Sequence, residues 1–87
     1  MGPAMMERRM VGEVFKYFGK AGVVAVRFTE PVHVGDRLQY QGPSTNFDEV
    51  VASMQIDGAP VPGVAAGQEA GIKVTQRCRE GDLVYRM

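Results

Sequence analysis

"GVVAVRFT" (residues 22–29) alternates without a break: Val24, Val26 and Phe28 fall on one side of an extended chain, Val23, Ala25 and Arg27 on the other. Successive side chains of a strand point to opposite faces, whereas a helix needs apolar residues at every third or fourth position. The same period recurs along the chain. "RLQYQ" (37–41) sets Leu38 and Tyr40 against Arg37, Gln39 and Gln41, and "AGIKVTQ" (70–76) sets Ala70, Ile72 and Val74 against Lys73 and Thr75. "DEVVASMQID" (48–57) reads as one strand with Val50, Ala52, Met54 and Ile56 inward and Val51, Ser53, Gln55 and Asp57 outward. "VGEVFKYF" (11–18) is apolar on both faces apart from Glu13 and Lys16, which predicts a twisted or bulged strand. No stretch carries a sustained helical stripe. The chain reads as all-β.

Turn residues divide these runs. "FGKAG" (18–22) predicts a hairpin between the first two strands, and Pro31 in "TEPVHVGD" (29–36) breaks pairing. "QGPSTNF" (41–47) predicts a surface loop, and "DGAPVPG" (57–63) and "AAGQEAG" (65–71) separate the later strands. Six or seven short strands at this spacing predict a small closed or nearly closed barrel. The reading places a loose leader over residues 1–8 and a single domain over 9–87.

Two Gly-Asp pairs, in "VGDRLQY" (34–40) and "EGDLVYR" (80–86), each precede an alternating run. We expect Gly35 and Gly81 to adopt positive φ in tight turns. Asp36 and Asp82 would then bond nearby amides through their side chains.

Composition removes several functions. Lys plus Arg and Asp plus Glu both count 10, so no overall charge draws the chain to nucleic acid or to a membrane. Cys78 stands alone, which rules out an intramolecular disulfide and favours a cytoplasmic address. No apolar run is long enough to span a bilayer. His33 has no cysteine or carboxylate cluster to complete a metal site. Gly19-Lys20 lacks the upstream glycine and the following Ser or Thr of a phosphate loop. Ser44 and Ser53 lie outside any nucleophile elbow, and Asp48 and Glu49 point to opposite faces of a strand. "VASMQI" (51–56) carries Gln55 where a biotinyl or lipoyl carrier needs lysine. The expectation is a non-enzymatic module without catalytic residues, metal, nucleotide or other cofactor.

Binding remains. Residues 38–72 contain no Lys or Arg, so the cations gather at the two chain ends. Closure of the first strand against the last would join Lys16, Lys20 and Arg27 with Arg77, Arg79 and Arg86 in one basic face. Such a face suits RNA or a ribonucleoprotein. Phe15, Tyr17 and Phe18 interleave with its lysines, and at least two of the three are expected in the core. The alternative is a protein contact through the loop "GPSTNFDE" (42–49), with Thr45, Asn46 and Phe47 at its end.

These segments together resemble the second domain of translation GTPases of the elongation factor Tu kind. The matching pieces are "VGEV" (11–14), "VGDRLQYQG" (34–42), "VASMQIDGAPV" (51–61), "AAGQEAGIKV" (65–74) and "REGDLVYRM" (79–87). A similar barrel forms a C-terminal appendage of collagenase-like bacterial peptidases, which share the "SMQ" and Gly-Asp-apolar-Tyr features. Either resemblance implies a translation-protein-type barrel without the GTPase or peptidase catalytic domain. The first implies RNA contact. The second implies an accessory role beside a peptidase-like or modification enzyme.

Overall fold

The computed structural model describes residues 8–87, so all of the expected leader except Arg8 lies outside the described residues. The alternation of "VVAVRF" places the core: in β2 (Val23–Phe28), Val24, Val26 and Phe28 are fully buried. β2 lies antiparallel between β1 (Arg9–Phe18) and β9 (Glu69–Lys73), whose Ala70 and Ile72 continue the buried face, as does Val74 just beyond. The other neighbour of β1 is β10 (Leu83–Arg86), which pairs in turn with β4 (Arg37–Gly42) and so adds Val84, Leu38 and Tyr40 to the core. β5 (Thr45–Val50) ends the sheet beside β4, while β6 (Met54–Ile56) and β7 (Ala59–Val61) end it beyond β9. The order is β5-β4-β10-β1-β2-β9-β6-β7, and β3 (Val32–His33) forms a separate two-residue ladder with β8 (Gly63–Val64).

The all-β class holds, and the strand pairing does not show the expected closure into a barrel. No ladder joins β5 to β7, so the eight-stranded sheet is open. The chain at Val51–Ser53 leaves the sheet, and Val51 bonds instead to the corner at Gly35 and Asp36. Val51 donates to the Asp36 carbonyl (2.8 Å) and accepts from the Gly35 amide (2.9 Å). Across the same gap the Glu49 carboxylate accepts from both the backbone N–H and the hydroxyl of Thr75.

That excursion also corrects the reading of residues 48–57 as one strand. Val50 is 48% exposed and Val51 buried, the reverse of the alternation expected there, while Met54 is buried. The loop expected over 41–47 is a hairpin, turned by Pro43 and Ser44, in which Thr45 and Phe47 are buried. Phe47 stacks on Tyr40 with ring centroids 4.8 Å apart. "DGAPVPG" likewise folds as the β6–β7 hairpin: Asp57 (φ 52°) and Gly58 (φ 80°) are both left-handed, as a type I′ turn requires. Pro60 is accommodated because β7 is an edge strand.

β1 bulges twice. Its register shifts between Met10 and Gly12 against β10, and between Val14 and Lys16 against β2. A strand apolar on both faces must re-aim some side chains, and the second bulge leaves Phe15 without a partner on β2.

The Gly-Asp corners are tight turns. Gly35 has φ 99° and Gly81 φ 93°, the glycine region of a type II turn. Asp36 accepts from the His33 amide (2.9 Å) and Asp82 from the Arg79 amide (2.8 Å). A third corner, Ala65–Gln68, is built the same way: Gly67 has φ 91° and Gln68 accepts from the Ala65 amide (2.7 Å). Each corner glycine donates its N–H across the fold, to Val51, Phe28 and Val14 in chain order. These turns set the starting points of β4, β9 and β10.

Candidate functional site

Several of the reactive groups among the described residues are committed to structure. Cys78 is buried, and burial, with Asp82 and Glu49 adding repulsion, pushes its thiol up to about 12. A thiol held neutral is a poor nucleophile. Burial also raises the Tyr40 hydroxyl above its ordinary value, with smaller contributions from Cys78 and Glu49. Asp48 pairs with Arg37 at 2.6 Å, Glu49 holds Thr75, and Asp36 lies 3.8 Å from Arg86. Asp82 is 1% exposed; one carboxylate oxygen holds Arg79, and Oδ1 has no hydrogen-bond partner among the described residues. It lies against Gly42, where any added Cβ would run into it. No group of three His, Cys, Asp or Glu among the described residues is placed to hold a metal ion. Among the described residues no helix is long and apolar enough to cross a membrane.

The six cations expected to share a face have different surroundings. β1 and β10 are neighbours, which brings the two cationic ends of the chain together. The Arg79–Asp82 corner is fastened to Val14, two positions before Lys16, by hydrogen bonds in both directions. Arg27 is held by Glu69 at 3.0 Å, and Arg86 by Asp36 and the Pro31 carbonyl. Lys16, Lys20, Arg77 and Arg79 make no ion pair among the described residues. Of the alternative contact residues, Thr45 and Phe47 are buried and Asn46 is exposed.

The sequence pointed to the aromatic run of β1 but assigned its side chains differently. Tyr17 packs against the core, whereas Phe15 and Phe18 remain 37% and 45% exposed. Both wall an outer groove of about 470 Å³. Its floor is the outward row of the sheet, where Ala25 of β2 faces Gly71 of β9, with Val23 beside them. Gln55, Asp57 and Gly58, on β6 and its turn, close the opposite side. The floor is low because Ala25 and Gly71 carry almost no side chain. A Cβ at Gly71 would already stand 3.1 Å from Val23 and 3.4 Å from Gln55.

The aromatic wall is braced. Arg27 lies over the Phe15 ring at 5.2 Å, and the Lys16 ammonium is 5.3 Å from the Phe18 ring centre. Lys73 donates to the Ala21 carbonyl (3.0 Å) and Val74 to the Gly22 carbonyl (2.9 Å), fixing the β1–β2 tip. The groove was missed because its residues come from four strands adjacent only in the folded sheet. The local signal was the expected bulge in "VFKYF", since a bulge re-aims a side chain.

Fold and surface therefore define a small all-β module with an open outer groove between Phe15, Phe18 and the β6–β7 turn. No protein-family model matches the chain. The chain is 33% identical over 76 residues to an uncharacterized protease of Methanocaldococcus jannaschii; the match covers 86% of this chain but only 19% of that protein. The chain thus spans about a fifth of the protease's length. Two solved structures share the fold: the C-terminal domain of a Geobacillus thermoleovorans protein named as a U32 peptidase, and its selenomethionine variant. The variant superposes with a TM-score of 0.84 at 22% identity, covering 88% of this chain and 98% of that domain. The unsubstituted domain gives 0.84 at 21% identity, covering 91% of this chain and 92% of its own. Of the two resemblances in the sequence, these comparisons share the peptidase one.

Proposed function

We propose that the chain is a non-catalytic accessory module working beside a peptidase-like catalytic domain of the U32 type. The observation that carries this reading is the extent of the fold match. Nearly the whole of a peptidase's C-terminal domain overlies nearly the whole of this chain. The likeness to about a fifth of an archaeal protease supports the same assignment. The neutral Cys78 thiol and the committed carboxylates agree with a binding role. The test is calorimetric titration of the chain with a separately purified U32-type catalytic domain from the same genome. We expect a one-to-one complex with Kd below ~100 μM, the weak end of domain contacts.

A second reading, RNA binding, draws on the four cations without ion pairs, Lys16, Lys20, Arg77 and Arg79. Four phosphate contacts on a single strand would make affinity fall about 50-fold between about 50 and 200 mM salt. Fluorescence anisotropy with a short single-stranded RNA measures this directly. RNA binding with that salt dependence, and no complex with the catalytic domain, would replace the accessory reading.

A further inference from the structure

We propose that the groove walled by Phe15 and Phe18 seats an extended segment of the peptidase-like partner, an apolar side chain of that segment resting on Ala25 and Gly71. The inference rests on the accessory reading and adds the surface and the chemistry of the contact.

Three observations carry it. The depression is lined by Val23, Ala25 and Gly71 under two large aromatic walls that stay substantially exposed. A space of about 470 Å³ takes one or two apolar side chains, and exposed aromatic surface gains most by being covered. The walls are also pre-set by the Lys73, Val74 and Arg27 contacts, so little conformational freedom is lost when the groove fills.

The charges are arranged by end. Lys16, whose ammonium stands 5.3 Å from the Phe18 ring of the groove wall, makes no ion pair among the described residues. Across the groove Asp57, at the β6–β7 turn, makes none either. The complementary occupant carries an acidic group toward Lys16, an apolar group at the centre and a basic group toward Asp57. A polyanion fits poorly, because Asp57 and Glu69 line the same groove. Gln55 on the rim has a side-chain amide with no hydrogen-bond partner among the described residues, and it offers a donor and an acceptor to a peptide backbone.

The experiment is a titration of the ¹⁵N-labelled chain with the U32-type catalytic domain, repeated with synthetic peptides of the form acidic–Leu–basic, acidic–Leu–acidic and basic–Leu–basic. Ala25→Leu fills the floor, Asp57→Asn removes one terminal charge while keeping a residue that tolerates left-handed backbone, and both are checked for folding by their amide spectra. We expect shifts at Phe15, Phe18, Ala25, Gln55 and Gly71. Affinity for the catalytic domain should fall at least tenfold in Ala25→Leu and about threefold in Asp57→Asn, and the mixed-charge peptide should bind more tightly than either single-charge one. A complex unaffected by Ala25→Leu would overturn the groove proposal and leave the accessory reading standing. Peptide binding at the groove without any complex would overturn the named partner alone. Concentration-dependent dimerisation abolished by Ala25→Leu would assign the groove to a second copy and refute the proposal.

Discussion

Gly42→Ala should be costly for a reason that is steric and specific. Gly42 ends β4 in the hairpin with Thr45, and an added methyl would meet the buried Asp82 side chain, with Cγ only 2.8 Å away. Asp82 cannot swing clear, because it is 1% exposed and its other oxygen holds the Arg79 amide at 2.8 Å. Overpacking of this kind costs ~1–3 kcal/mol, and displacing the carboxylate forfeits part of a charge-assisted bond worth ~1.5–3 kcal/mol. The expected loss is about 3 kcal/mol, which for a domain of this size lowers Tm by about 15 °C. Asp82→Ala alone should cost about 1–2 kcal/mol, since it loses the Arg79 bond but also removes the unpartnered Oδ1. In the double variant the clash is gone, so its destabilisation should fall short of the sum by at least ~1.5 kcal/mol. The assay is urea denaturation followed by far-UV circular dichroism, the chain having no tryptophan. Additivity within ~0.5 kcal/mol would show that the two residues do not oppose each other and would refute the reasoning.

Other outcomes follow from the same structure. Phe47→Ala, which removes a buried ring stacked on Tyr40, should cost ~3–5 kcal/mol, whereas Asn46→Ala should stay within ~0.5 kcal/mol by the same denaturation assay. Gly67→Ala should cost ~1–2 kcal/mol from backbone strain alone, because nothing lies within 4 Å of the added Cβ. The buried Cys78 thiol keeps its proton to about pH 12 against 9.0 in the unfolded chain. Its contribution is therefore complete below pH 9 and is lost as the pH rises toward 12, because the unfolded chain ionises first. Between pH 9 and 10 the parent should lose about 1 kcal/mol more than Cys78→Ala, and Tyr40 acts in the same direction in both proteins.

The alternating runs were legible because burial imposes period two: Val24, Val26 and Phe28, then Leu38 and Tyr40, then Ala70, Ile72 and Val74 all lie inside. Residues 48–57 were misread because Val50 and Val51 are equally apolar and no Gly or Pro marks the point where the chain leaves the sheet. A one-residue slip there exchanges the two faces. The third corner was hidden because Gln68 replaces the aspartate, although its longer side chain reaches the same kind of amide. The basic residues could be named from the sequence, but their partners could not, since Arg27 meets Glu69 only when β2 lies against β9. The groove depends on the same long-range adjacency, with Gly71 opposite Ala25 and Gln55 opposite Gly71.

The place of β1 has a consequence for how the molecule assembles. It sits inside the sheet between β2, which follows it directly, and β10, so that Glu13 pairs with both Arg27 and Leu83. The β1–β2 and β4–β5 hairpins close short loops and can form early, but each then presents a bare apolar face to water. Joining them requires β10, which bridges β1 to β4. High contact order of this kind slows folding into the millisecond-to-second range. During synthesis the two hairpins must wait, unjoined and prone to aggregate, until residues 83–86 emerge and close the seam between them.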